Sequence, residues 1–442
     1  MNPPGPHQPG PPRPPRRRAS AIREQLAAWA QAGVQRPRFV GGNQVLLQQG
    51  GDALFPRLCA AVDAAQHEVW LATYIFHDDP AAQAVVRALA AAARRGVAVH
   101  VVVDGFGSLA TLPCLRRTLE EAGVQLEVFR ALDRWWAWLQ PGQLRRLHQK
   151  LCVVDGHTAY VGGINFIDDR YDLNHGWSDA PRLDFAVEVQ GPLAAQVQAS
   201  VRAVWARAHL GHTWREEVRA MTRSADPLHR GLTLLRRLRG RPPRQNAQAA
   251  AQPVRAAFLV RDNFRQRRAI ERAYVEALRG AQQRIWLAVP YFYPGHSFRR
   301  ALRQAAQRGV DVRLLLQGKI DYRIAAMAAR ALYDELRAHG VRIFEYTPAF
   351  LHAKVAVVDG DWATVGSSNI DPLSLLLNLE ANVVVRDAPF AQDLADRLQT
   401  AMAQSEEAVQ APRRGWRQWL HRGLVAWCAN VYLRLAGITG RY

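Results

Sequence analysis

Two short phrases in this chain carry the same residues at the same spacing. The first is His148-Gln-Lys150, followed by Asp155, Gly162-Gly163 and Asn165. The second is His352-Ala-Lys354, followed by Asp359, Gly366-Ser367 and Asn369. In each, Asp follows His by seven residues and Asn follows by seventeen. A lone His-x-Lys carries almost no information, but two copies with matched offsets do. Each opens an apolar run, Leu151 to Val154 and Val355 to Val358, that stops at Asp-Gly. Residues two apart on a strand share a face, so each His and its Lys point the same way.

These residue types suit attack on a phosphodiester without a metal. Two ammonium groups, Lys150 and Lys354, clamp the non-bridging oxygens. Asn165 and Asn369 add amide donors, and the glycines before them allow close backbone approach. One neutral His attacks phosphorus to form a phosphohistidine. The other, protonated, gives its proton to the leaving alcohol and then takes one from the incoming alcohol or water. Attack and departure use opposite sides of phosphorus, so one His is needed from each copy. Asp155 and Asp359 fall on the opposite strand parity beside a turn, and are expected mainly to fix that turn. Asp184, thirty-six residues after His148, and Glu380, twenty-eight after His352, are better placed to accept an Nδ1–H and fix a His tautomer. The plain alternative is that both are surface carboxylates beside strands.

The duplication extends beyond the phrases. His67 to Tyr74 parallels Gln283 to Pro290, with Trp70 and Trp286 in the same place. A helical pattern follows each (81–95 and 297–308), then Gly and a Val-rich strand ending at Asp104 or Gln317. A second helix and strand lead into each His-Lys run. Such alternation predicts an α/β fold with largely parallel pairing. The expected organisation is a disordered, Pro-rich basic tail (1–18), an N-terminal helix and lead-in (19–44), a first domain (45–215), a basic linker (216–255), a second domain (256–405) and a basic, Trp-rich amphipathic C-terminal segment (406–442).

The chain has 442 residues, 49% of them hydrophobic, and a formal charge of +20. That length and apolar content suit two or three domains with a large core. The charge favours an anionic partner, a nucleic acid or an anionic membrane, with Arg-rich composition as the plain alternative. Cys59, Cys114, Cys152 and Cys428 form neither a zinc pattern nor a disulfide framework, which fits a reducing cytoplasmic setting. No secretory h-region opens the chain, and no unbroken apolar run reaches the roughly eighteen residues a bilayer span takes. Between Gly123 and His148 the first half carries an insertion containing Trp135, Trp136 and Trp138. Trp416, Trp419 and Trp427 recur among arginines near the C-terminus. Trp favours the membrane–water boundary, so both clusters are candidate lipid contacts; packing on the protein is the alternative.

The two phrases resemble the HxKxxxxD and G-G/S-x-N pattern of the phospholipase D superfamily. Gly42-Asn43, Thr73 to Phe76 with Asp78-Asp79, Arg94 to Val97 and Val161 to Phe166 are similar to bacterial cardiolipin synthases. Val260 to Asn263 resembles the short branch, cardiolipin synthase B, which lacks the paired N-terminal membrane helices of the long form. The resemblance implies duplicated phospholipase D-like domains, each a mixed, mostly parallel sheet flanked by helices, related by a pseudo-two-fold around one shared site. It implies His148, Lys150, Asp155, His352, Lys354 and Asp359 as catalytic residues, with no metal and no cofactor. The implied reaction moves a phosphatidyl group through phosphohistidine onto phosphatidylglycerol, giving cardiolipin. The implied setting is the cytoplasmic side of the bacterial inner membrane, bound peripherally to anionic phospholipid. No nucleic acid or obligate protein partner is expected. Lipid hydrolysis, a nuclease of the same superfamily, and a scaffold with a decayed site remain as rivals.

Overall fold

The structure, a computed structural model, describes residues 37–131, 145–222 (211–222 as backbone), 254–261, 266, 268–319, 330, 332–371 and 378–408. The first half contributes β1 (Val40–Gln49), β2 (Glu68–Thr73), β3 (Ala98–Asp104), β4 (Gln125–Phe129), β5 (Leu151–Val154) and β6 (Thr158–Gly162). A small hairpin, β7 (Tyr171–Asp172) and β8 (Gly176–Trp177), precedes β9 (Phe185–Gln190). The second half contributes β10 (Val254–Arg261), β11 (Arg284–Ala288), β12 (Asp311–Gln317), β13 (Arg342–Tyr346), β14 (Val355–Val358), β15 (Trp362–Gly366), β16 (Glu380–Arg386) and β17 (Glu406–Glu407).

All but the β7–β8 hairpin join one 15-stranded sheet. β1 and β10 pair antiparallel at its centre. Outward from β1 run β9, β6, β5, β2, β3 and β4; outward from β10 run β16, β15, β14, β11, β12 and β13. The duplication read in the sequence is thus a duplication of sheet order, and the two halves share one sheet.

The expectation of mainly parallel pairing is corrected. Among the described strands, most ladders are antiparallel, and the parallel ones are β2–β3–β4 and β11–β12–β13. Those strands are joined through helices 80–94, 112–121 and 296–307, the crossovers that parallel pairing requires. β5 and β6 instead meet through the Asp155-Gly156 turn, too short for a crossover, and so pair antiparallel. The same holds for β14 and β15.

Local signals explain the helices. Asp79 caps helix 80–94 by accepting from Ala82 N at 2.9 Å, with Pro80 opening the first turn. Gly96 and Gly309 end the first crossover helix of each half with φ of +91° and +89°, which suits glycine. Helices cover both faces of the sheet. One face carries a core shared by the halves, including Trp70, Trp286, Val187 and Val383. The other face carries a separate core in each half. Among the described residues no helix is long and apolar enough to cross a membrane.

Candidate active site

Two parallel bridges stitch the halves together beside the histidines: Leu147 with Leu379, and Leu183 with Leu351. His148 N donates to Leu379 O at 3.0 Å, and His352 N donates to Leu183 O at 2.9 Å. Each His backbone is therefore held by the other half. Asp104, the last residue of β3, accepts from Leu147 N at 2.8 Å. Gln317, at the end of β12, accepts from Leu351 N at 2.6 Å. The β-strand ends that precede each loop thus fix the residue before each His. Sequence reasoning passed over this pair, although both close equivalent strands.

The carboxylate pairing also crosses between halves. His148 Nδ1 lies 3.0 Å from Glu380 Oε2. His352 Nδ1 lies 2.6 Å from Asp184 Oδ2. Sequence offsets within each copy would have matched Asp184 to His148 and Glu380 to His352; the shared sheet exchanges them. Each imidazole keeps Nε2 away from its carboxylate, and the two side chains retain 13% and 23% of their exposure.

The two carboxylates are held differently. Ser367 Oγ donates to Glu380 Oε2 at 2.5 Å. At the corresponding Gly163, an added Cβ would stand 2.3 Å from Asp184 Oδ1. Ser accompanies the longer Glu, which it can reach; Gly makes room for Asp. Burial opposes ionisation of Glu380, but His148, Lys150 and Ser367 together hold its carboxyl below the usual range. Burial pushes Asp184 up to about 7 against the pull of Lys354. Burial, reinforced by the two lysines, holds both imidazoles on the neutral side of their ordinary value, His352 most strongly.

Lys150 and Lys354 are buried and face the same space. Lys150 Nζ donates to His148 O at 2.9 Å and lies 5.5 Å from the Tyr74 ring centroid. Lys354 Nζ donates to His352 O. Burial lowers Lys150 to about 7, helped by repulsion from Lys354, and lowers Lys354 to about 8. An anion between them would favour the charged form of each lysine and so oppose both shifts. Asn165 and Asn369 are buried nearby in sequence register, and the Oδ1 of each lacks a hydrogen-bond partner. Gln149, also missed in the sequence, donates from Nε2 to Glu380 O at 3.1 Å.

Asp155 and Asp359, implied as catalytic by the resemblance, sit at the hairpin turns that strand parity predicts, with their carboxylates on backbone N–H groups. Asp155 accepts from the backbone N–H groups of Gln66, His67 and Glu68 at 2.8–2.9 Å. Asp359 accepts from Gln282, Gln283 and Arg284 at 2.8–3.2 Å. Both occupy the left-handed region, at φ +49° and +53°. Each carboxylate ties a hairpin turn to the start of the neighbouring strand. Cys152 is a buried apolar residue whose thiol is pushed up to about 12. Trp135, Trp136, Trp138, Trp416, Trp419 and Trp427 lie outside the described residues.

A fold of two matched α/β halves with paired His-Lys phrases around one site defines a phospholipase D-like protein. The sequence matches the family described as "Cardiolipin synthase, PLD-like domain" over residues 58–177 and 274–402. It is 35% identical over 392 residues to cardiolipin synthase B of Shigella flexneri, covering 85% of each chain. It is 36% identical over 390 residues to cardiolipin synthase B of Salmonella typhi, again covering 85% of each. Cardiolipin synthase A of Pseudomonas fluorescens is 34% identical over 388 residues, 87% of this chain and 74% of that one. Phosphatidylserine synthase of Haemophilus influenzae shares the fold at a TM-score of 0.61 and 12% identity, covering 94% of this chain and 99% of that chain. The chain belongs to the phospholipase D-like cardiolipin synthase family.

Proposed function

We propose that this protein is a cardiolipin synthase that passes a phosphatidyl group through one of its two histidines. The observation that carries this reading is the crossed pairing of His148 with Glu380 and His352 with Asp184, on a chain belonging to this family. In the first step Nε2 of one His attacks the phosphorus of a phosphatidylglycerol. The N–P bond forms, the bond to glycerol breaks, and the other His, protonated as imidazolium beside the bound anionic phosphodiester, gives its Nε2 proton to the departing oxygen. In the second step that His takes the proton from the hydroxyl of another phosphatidylglycerol. The new O–P bond forms, the N–P bond breaks, and cardiolipin leaves.

Lys150 and Lys354 bind the non-bridging oxygens, and the amides of Asn165 and Asn369 add donors. Asp184 and Glu380 keep each imidazole in the tautomer that leaves Nε2 toward phosphorus. The burial of both lysines supports a site that limits water, which would otherwise release phosphatidic acid. Basic charge supports attachment to anionic phospholipid; the proposed setting is peripheral, at the cytoplasmic face of the inner membrane, with no nucleic-acid partner as part of the proposal. The domain limits given above stand as part of this proposal, adjusted where β1 starts at Val40 and helix 192–222 runs on to Thr222.

The test is to incubate purified protein with vesicles of headgroup-labelled and acyl-labelled phosphatidylglycerol and separate the products. Cardiolipin with an equal amount of free glycerol is expected. Phosphatidic acid as the main lipid product would instead define a hydrolase.

A further inference from the structure

The two halves match at the reacting residues and differ just outside them. Ladder partners equate the strand ends: Asp104 pairs with Phe129, and Gln317 pairs with Tyr346. Counting on from these pairs, and back from each His, aligns Arg130, Arg145 and Arg146 with Thr347, Ala349 and Phe350. Three arginines thus occupy places that carry no charge in the other copy.

Arg146 joins the His148 segment to Arg130, and Arg145, its neighbour in the chain, acts electrostatically on Arg130. Arg146 Nη1 lies 3.7 Å from Asp104 Oδ1 and donates to Arg130 O at 3.3 Å. Asp104 also holds Leu147 N, directly before His148. Arg130 adopts φ +53°, a conformation long side chains seldom take and one that marks functional positions. Its Nη1 is buried without a hydrogen-bond partner. Burial, then repulsion from Arg145 and Arg146, lowers the Arg130 guanidinium to about 10, with Asp104 opposing. Arg146 is the guanidinium beside that carboxylate, and the mutual repulsion of Arg130, Arg145 and Arg146 is positive charge that an anion would neutralise. Phe106 and Leu109, on the loop after Asp104, are 42% and 49% exposed, and the Phe106 ring lies 5.5 Å from the Arg146 guanidinium carbon.

We propose that Arg130, Arg145 and Arg146 form a second anion site, which holds the acceptor lipid's own phosphodiester while its terminal hydroxyl reaches the phosphohistidine. This rests on the synthase reading above. A phosphatidylglycerol acceptor carries a phosphate of its own, separated from its reacting hydroxyl by three carbons. Arg146 precedes His148 by two residues, about 7 Å along an extended chain, which is the scale of that bridge. The acceptor enters on one side of phosphorus only, so a single copy of the site suffices. The apolar shoulder of Phe106 and Leu109 favours a lipid phosphodiester over free phosphate.

The test uses the full-length protein on phosphatidylglycerol vesicles containing ethanol, scoring cardiolipin against phosphatidylethanol. Both products leave from the same phosphatidyl-enzyme, so their ratio is independent of donor binding. Arg130→Gln/Arg145→Gln is expected to lower the ratio of cardiolipin to phosphatidylethanol by about tenfold or more, the scale of a lost charged hydrogen bond. Arg130→Lys/Arg145→Lys is expected to keep most of it. Each single Gln variant is expected to fall several-fold, which decides the matter if the double variant loses both products through misfolding. Arg146 is left intact because it also supports Asp104. An unchanged ratio in the Gln variants that still turn over overturns the second site. A wild-type protein that makes phosphatidylethanol but no cardiolipin overturns the synthase reading, and this site with it. Millimolar inorganic phosphate is expected to leave the wild-type ratio nearly unchanged; collapse of the ratio would mark a site for free phosphate and overturn the lipid assignment.

Discussion

The Nδ1 of His148 lies 3.0 Å from a carboxylate 232 residues away, that of Glu380 in the other half. The reciprocal bond joins His352 to Asp184 at 2.6 Å. Neither half therefore supplies the carboxylate for the histidine of its own phrase. Glu380→Gln and Asp184→Asn are each expected to lower kcat by about a thousandfold, because an amide no longer imposes the tautomer with Nε2 free. The crossed geometry adds a sharper expectation. In 15N-histidine spectra, Glu380→Gln shifts the ring signals of His148 far more than those of His352, and Asp184→Asn does the reverse. Shifts that follow the pairing within each copy would contradict the crossing.

A narrow pH profile follows from the buried charges. As pH falls through about 7, Asp184 takes a proton and can donate to His352 Nδ1, which favours the wrong tautomer. As pH rises through about 7 to 8, Lys150 and then Lys354 lose the protons that hold phosphate. Initial rates at low substrate should give a bell with its maximum near neutrality. Bound phosphate restores the lysine charges, so the alkaline limb of kcat should lie at higher pH than that of kcat/KM. An alkaline limb at the same pH in both would argue against the lysines as phosphate ligands.

Asp155 is expected to matter for stability. Asp155→Ala leaves three strand-start N–H groups without their acceptor and puts Ala in a left-handed conformation, at a cost of about 2–4 kcal/mol. Asp155→Asn, which tolerates that conformation, should cost less. Denaturant melts paired with turnover per folded molecule check this: turnover should survive in the folded fraction of both variants.

The small residues beside the carboxylates make a matched contrast. Gly163→Ala would drive a methyl into Asp184 and is expected to lower kcat by about a hundredfold or more. Ser367→Ala removes a single donor to Glu380, with an expected loss of about tenfold, the scale of one charged hydrogen bond. Equal effects of the two changes would show that the crowding at Gly163 is readily relieved.

The local chemistry is readable from the chain because it depends on local geometry. Strand parity alone puts His148 with Lys150 on one face and Asp155 on another. The first-half order of strand, helix and Gly stop is equally local, and helix 80–94 begins at Asp79-Pro80 as the pattern suggests. What the chain does not display is long-range placement. Glu380 reaches His148 because β1 meets β10 at the sheet centre and Leu379 bridges Leu147, contacts with no signature in either copy. The antiparallel strands escape notice for a similar reason: the apolar runs of β5 and β14 look like any buried strand, and their direction depends on a turn. Asp104 and Gln317 do the same job with different side chains, so the repeat conceals their equivalence.

Two imidazoles acting on one phosphorus is the proposition from which the rest follows. Its most direct measurement is turnover of phosphatidylglycerol by His148→Ala and by His352→Ala, each shown to be folded by its melting curve. Cardiolipin formation is expected to fall by more than about a thousandfold in both, on the scale of removing a nucleophile or a general acid. Near-normal cardiolipin formation by either variant would contradict the two-histidine mechanism.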